Sequence, residues 1–187
     1  GIGSKIGDFL TGHEDTPIVS FTGGTQTGRH IAGIASPMFK KISLELGGKN
    51  PNIVFADANF DKAVTMAVKA GFSNQGQICL CGSRLFIQDE IYEKFKKALL
   101  EKVSKLKVGD PQDDGMDLGA VVSEEHMNKV LSKITQAKKI GGNILTGGNR
   151  KLIEGDLLNG YYIEPTVIEN LLFDCEVNQE EIFGPVL

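Results

Sequence analysis

The sequence predicts an α/β protein, and three observations predict it. Short apolar strand patterns alternate with longer helical ones along most of the 187 residues. Glycine-bearing turns punctuate the strand–helix junctions. The composition, 41% hydrophobic and 24% charged, is that of a chain able to bury one ordinary core.

The elements follow in order. Gly1-Ile2-Gly3-Ser4 reads as a turn. Ile18 to Phe21 reads as a strand ending in Thr22-Gly23-Gly24-Thr25-Gln26-Thr27-Gly28, after which a helix runs to about Ala35 and stops at Ser36-Pro37. Lys41 to Leu46 and Asn52 to Phe55 are apolar strands, so the opening order is strand, helix, strand, the unit of parallel sheets. A helix from about Asn59 to Asn74 turns Phe60, Ala63, Val64, Ala67, Val68 and Ala70 inward. Ser83 to Gln88 is a strand, and Asp89 to Leu106 is an amphipathic helix with Ile91, Phe95, Ala98, Leu99 and Val103 on one face.

Leu118 to Val122 reads as extended. Ser123 caps the next helix, Glu124 and Glu125 suit its positive end, and Gly141-Gly142 closes it. Asn143 to Thr146 and Tyr162 to Ile168 are the last strands, separated by a polar loop. A soft shift in composition near Ile78 offers a division into two lobes meeting at Cys79.

Composition also narrows the function. A net charge of −4 argues against a general nucleic-acid or membrane-surface binder, and no apolar run is long enough for a transmembrane helix. Three cysteines without CxxC spacing fit a reducing, cytoplasmic compartment better than a disulfide scaffold. Cys79 and Cys81 point to opposite sides of an extended backbone, and His13, His30 and His126 lie in unrelated segments, so no metal site is expected.

Two segments carry the chemistry. Asn74-Gln75-Gly76-Gln77-Ile78-Cys79 sets a thiol at the junction of a helix and a strand, where a turn can present it to a carbonyl carbon. The plain alternative is a small buried cysteine, but a core cysteine does not require that polar, glycine-bearing approach. Leu44-Glu45-Leu46-Gly47-Gly48-Lys49 places a carboxylate opposite two leucines in a strand. Half-buried, it would have a raised pKa and serve as a general base; exposed, it is an ordinary strand glutamate.

Gly23, Gly24 and Gly28 follow neither GxGxxG nor P-loop spacing, so a phosphate-binding helix start and a plain turn both remain open. Glu180-Glu181-Ile182-Phe183-Gly184-Pro185 offers a carboxylate for a diol and a ring for a pocket wall, or simply a solvated turn.

Together, in this order, these segments resemble the aldehyde dehydrogenase superfamily. Phe21 to Thr25 with Gly28, Leu44 to Pro51, Asn74 to Cys79, Gly160 to Val167 and Glu180 to Pro185 carry the likeness over nearly the whole chain. The wording Ile78-Cys79-Leu80-Cys81-Gly82-Ser83-Arg84 is most similar to the branch acting on muconic semialdehydes.

The resemblance implies the end of a Rossmann-type NAD-binding domain over 1–48 and the first part of an α/β catalytic domain over 49–187. Cys79 would be the nucleophile, at the cleft of the two, and Glu45 the general base. Gly23, Gly24 and Gly28 would line the pyrophosphate-side turn and Gly47 the nicotinamide. Glu181 would hold the nicotinamide ribose, Phe183 would pack beside it, and Gly3 would mark a turn near the adenine. The implied cofactor is NAD, with NADP open, and the implied substrate a small aldehyde oxidised to an acid. A homo-oligomer, dimer or tetramer, is implied for a longer parent polypeptide of which this chain would be a piece. A non-catalytic relative of the same fold, binding nucleotide or partners only, is the competing reading.

Overall fold

A computed structural model describes all of residues 1–187, and the chain divides into two compact units, Gly1–Gly48 and Lys49–Leu187. Ile78 lies well inside the second unit, so the compositional shift there marks no boundary. The turn Gly47-Gly48 is where the chain passes from one unit to the other.

The first unit holds α1 (Gly3–Gly12), β1 (Ile18–Gly23), α2 (Thr25–Ala35) and β2 (Lys41–Leu46). β1 and β2 pair in parallel from Ile18 opposite Lys41 to Gly23 opposite Leu46. α1 replaces the expected opening turn. Three glycines lower its helix propensity, but Ile2, Ile6 and Phe9 recur at helical spacing. Its end is held by Lys40, whose ammonium donates to the carbonyls of Thr11 at 2.6 Å and His13 at 2.5 Å. His30 of α2 pairs with Asp8 of α1 at 2.8 Å. Gly28 lets α2 sit directly on β2, because a Cβ there would lie 2.7 Å from Leu46.

The second unit begins with β3 (Pro51–Val54) and α3 (Phe60–Phe72). Asn59 caps α3 by accepting from the Lys62 N–H at 3.1 Å. α3 ends where Asn74 and Gln75 turn left-handed, with φ of 51° and 57°, two residues short of the predicted helix. β4 (Arg84–Ile87) returns parallel to β3. A single 3₁₀ turn then leads into α4 (Tyr92–Val103), so the amphipathic segment starts and stops inside its predicted bounds.

Helices α3 and α4 pack Val64, Ala67, Val68, Phe72, Phe95, Leu99 and Val103 into one core, where Phe60 and Phe95 meet edge to face at 5.7 Å. α5 (Glu124–Lys139) is capped by Ser123 as its sequence indicates, and Gly141 closes it at φ 96°. It carries a second core of Met127, Val130, Ile134 and Ala137.

β5 (Asn143–Thr146) and β6 (Val167–Glu169) pair antiparallel, so the sheets are not uniformly parallel. Proline at 165 limits the last strand to three residues, and Ile163 makes only an isolated bridge to Arg150. Glu169, largely buried, ties the region together: it accepts from Tyr92 at 2.9 Å, Asn143 at 3.0 Å and Lys96 at 3.2 Å. A short helix, α6 (Glu176–Gln179), was not evident from periodicity because it spans one turn.

Leu118 to Val122 forms no strand. Leu118 makes only an isolated parallel bridge to Val108, and the Val121 N–H donates to the Tyr161 carbonyl at 2.9 Å. Side chains take the groups between and beyond: the Gly119 N–H donates to Gln75 at 3.0 Å and the Val122 N–H to Gln77 at 3.2 Å. No helix is long and apolar enough to cross a membrane.

Phe95 is fully buried at the centre of the first core. Phe95→Ala is expected to cost about 3–5 kcal/mol of unfolding free energy, read from urea denaturation.

Candidate active site

The loop carrying Cys79 is built from backbone that few residues tolerate. Asn74, Gln75 and Gly76 are left-handed in succession, with φ of 51°, 57° and 68°. Such residues cost roughly 1–3 kcal/mol each unless the surroundings hold them, glycine excepted. Here they are held. Gln75 accepts from the Gly119 N–H and donates to the Ala120 carbonyl at 3.3 Å, much as a strand would. Asn74 donates to the Gln77 carbonyl at 3.1 Å. From the other side, the Asn50 amide donates to the carbonyls of Cys79 at 2.7 Å and Cys81 at 3.1 Å.

At the tip, Cys79 is exposed as a free thiol. Its backbone N–H has no acceptor within the chain, so it is available to an incoming oxyanion. Cys81, two residues on, is buried, with its sulfur 3.0 Å from the Ala70 carbonyl and 3.3 Å from that of Gly71. Burial pushes the Cys81 thiol pKa up, which keeps it protonated and inert. The alternation of the two cysteines therefore separates a presented thiol from a core one.

The segment Glu180 to Pro185 meets the Cys79 loop at its backbone. A Cβ on Gly76 would lie 2.1 Å from the Gly184 carbonyl oxygen, so only glycine permits this approach. Phe183, beside it, is left-handed at φ 58° and about one-third exposed. His126 of α5 donates from Nε2 to the Phe183 carbonyl at 2.6 Å. Lys133 binds both Glu176 and Glu180, the latter at 2.8 Å. Burial lowers the Lys133 pKa, but the two carboxylates outweigh it and raise the pKa above its ordinary value.

Glu181 is half-buried, and its charge acts on Lys49. That lysine lines a cavity with Ser83, Arg84 and Ile182. Desolvation, then the positive charge of Arg84, lowers its pKa to about 8, against the opposing pull of Cys81, Cys175 and Glu181.

In the first unit, Glu45 is exposed on β2, pointing away from the half-buried Leu44 and Leu46. Of the two readings the sequence leaves open, the exposed strand glutamate is the one this chain forms. Gly24 is the cap of α2. No side chain caps the helix, and the Gly28 N–H is the first to find a carbonyl, that of Gly24 at 3.0 Å. The N–H groups of Thr25, Gln26 and Thr27 therefore face outward, and a Cβ at Gly24 would meet nothing within 4 Å. These residues fit an anionic group of a dinucleotide at the helix start.

Gly28 has its N–H committed and its Cα packed on Leu46, so its place is in the helix–strand contact. Gly23 ends β1 and Gly47 follows β2, half-buried. Gly3 opens α1 rather than a turn; it lines a groove with residues of β1 and α2, including Ser20 and Thr27. No group of three or more His, Cys, Asp or Glu side chains is arranged to hold a metal ion.

Sequence reasoning alone did not single out Asn50, Lys49 or His126. Asn50 and Lys49 had a signal, the polar residues of a turn between two apolar strands. His126 had none, because its partner is a backbone carbonyl 57 residues away.

The aldehyde dehydrogenase family model matches residues 1–187. Relatives named 2-aminomuconic semialdehyde dehydrogenase are 43% identical in Mus musculus and 44% identical in Danio rerio, each covering the whole of this chain. The chain spans 39% of the length of both. A crystal structure of betaine aldehyde dehydrogenase from Staphylococcus aureus in complex with NAD+ superposes with a TM-score of 0.96 at 45% identity, over all of this chain and 37% of that one.

Lys49 supplies a pH test. Its folded pKa lies below its unfolded value, so protonation weakens the fold: its contribution is fully present above pH 10.5 and is lost as pH falls through about 8. Competitive acylation followed by mass spectrometry should show Lys49 half-reactive near pH 8, while exposed lysines remain mostly protonated.

Proposed function

Since the chain belongs to the aldehyde dehydrogenase family, we propose that it supplies the nucleophile, the general base and part of the cofactor site of an NAD-dependent aldehyde dehydrogenase. The observation that carries this reading is Cys79: an exposed thiol with a free backbone N–H, on a loop whose strained backbone is held from both sides.

In this reading residues 1–48 are the end of the NAD-binding domain and residues 49–187 the first part of the catalytic domain. The Cys79 thiolate adds to the aldehyde carbon. A C–S bond forms, the carbonyl electrons move to oxygen, and the Cys79 N–H donates to the resulting oxyanion. A bound nicotinamide would supply the acceptor for the hydride lost from this carbon, and Cys79 would then carry the acyl group as a thioester. Glu45 then takes a proton from water. The water oxygen attacks the thioester, the C–S bond breaks, and the acid departs as the thiolate is restored.

NAD is the supported cofactor, because the structural neighbour at 45% identity binds NAD+. Its pyrophosphate would be met by the outward N–H groups of Thr25, Gln26 and Thr27, with Gly23 and Gly24 admitting close approach. Gly28 would support the helix start and Gly3 the adenine side. Gly47 would lie beside the nicotinamide, Glu181 would accept from the ribose hydroxyls, and Phe183 would wall the pocket. The substrate class supported is a muconic-type semialdehyde, on the wording Ile78 to Arg84 and the relatives so named. The reading extends to a cytoplasmic homo-oligomer, on family membership.

Rapid-mixing kinetics on the intact protein test the roles. Cys79→Ala is expected to abolish NADH formation. Glu45→Gln is expected to keep the first-turnover burst and slow steady-state hydrolysis by roughly 10²–10⁴. Normal turnover in Cys79→Ala would contradict the nucleophile assignment; NAD binding without NADH formation in the wild type would leave the non-catalytic reading standing.

A further inference from the structure

One face of α5 touches the segment Glu180–Gly184 at three successive points. His126, Val130 and Lys133 stand at i, i+4 and i+7, a single stripe of the helix. His126 Nε2 lies 2.6 Å from the Phe183 carbonyl oxygen, and its ring meets the Phe183 ring edge to face at 6.0 Å and 71°. A carbonyl only accepts, so Nε2 carries the proton in this bond. Val130 abuts Gly184 so closely that a Cβ on Gly184 would lie 2.7 Å from it. Lys133 holds Glu180 at 2.8 Å. Glu181 and Phe183 thus sit on a segment whose two ends and one intervening carbonyl are fixed by the same helix.

We propose that this stripe sets the geometry of the cofactor-holding segment, with His126 the positioning residue for Phe183 and Glu181. The proposal rests on the cofactor roles given to those two residues above. Phe183 is left-handed, a conformation that a large side chain does not keep unaided. The His126 bond supplies the only partner of its carbonyl within the chain. Without it the peptide between Phe183 and Gly184 is held only from its Gly184 side, by Val130 and Gly76, and the Phe183 and Glu181 side chains lose part of their register. His126 never touches the reacting atoms, so its effect falls on cofactor affinity and not on the aldehyde.

The test compares His126→Ala, His126→Gln and, as a control on an exposed position of α5, Lys129→Ala in the intact protein. His126→Ala is expected to raise the Kd and KM for NAD roughly three- to ten-fold, as loss of one hydrogen bond allows, with the aldehyde KM unchanged. Amide exchange over residues 180–187 rises in the same variant. His126→Gln, which keeps an N–H donor, recovers most of the NAD affinity; Lys129→Ala matches the wild type. Unchanged exchange over 180–187 in His126→Ala would overturn the positioning role. Faster exchange with unchanged NAD affinity would overturn its link to the cofactor. A wild-type protein unable to bind NAD would overturn the functional reading, and the exchange result would still decide the positioning.

Discussion

The contact on which the second unit's site depends is the approach of Gly76 to the Gly184 carbonyl. It joins the loop that presents Cys79 to the segment that carries Glu181 and Phe183, and it does so through backbone. Side chains relax by changing rotamer; a main chain with no room for a Cβ cannot. Everything nearby serves to hold the two segments in that relation. Gln75 and Gln77 fix the first to residues 119–122, Asn50 holds its far side, and α5 holds the second.

This arrangement also explains why so much polar sequence surrounds one thiol. A loop with three consecutive left-handed residues has no intrinsic stability, and its backbone must be over-determined by partners. The amides of Asn50, Asn74, Gln75 and Gln77 do this without charge, so they leave the field at Cys79 to whatever binds there. The nearby cation, Lys49, has a pKa lowered by desolvation and Arg84, and it is half-buried in a cavity instead of being paired in the open.

Much of the fold was legible from the residues. The period of Val64, Ala67 and Val68, the cap at Ser123 and the glycine closure at Gly141 are local signals, and the helices formed where they point. The α/β class and the family follow from motifs kept in order. What sequence could not supply was non-local. Leu118 to Val122 reads as extended, but its partners are scattered. Leu118 bridges Val108, Val121 donates to the Tyr161 carbonyl, and glutamine side chains 44 and 45 residues away take the N–H groups of Gly119 and Val122, so pairing stops at a single bridge. The exposure of Glu45 likewise depends on what faces β2, which period-2 alternation leaves open. The distinction between Cys79 and Cys81 was half legible: alternation separates them, and only the fold says which one is buried.

The central claim is that the Gly76–Gly184 approach holds Cys79 as the presented thiol. The alkylation rates of Cys79, Cys81 and Cys175, resolved by mass spectrometry in the wild type and in Gly76→Ala, test it most directly. The account predicts that Cys79 reacts far ahead of Cys81 in the wild type. In the variant, whose new Cβ meets the Gly184 carbonyl at a left-handed position, that lead collapses as the loop is displaced. Equal rates for Cys79 and Cys81 in the wild type, or an undiminished lead in Gly76→Ala, would contradict it.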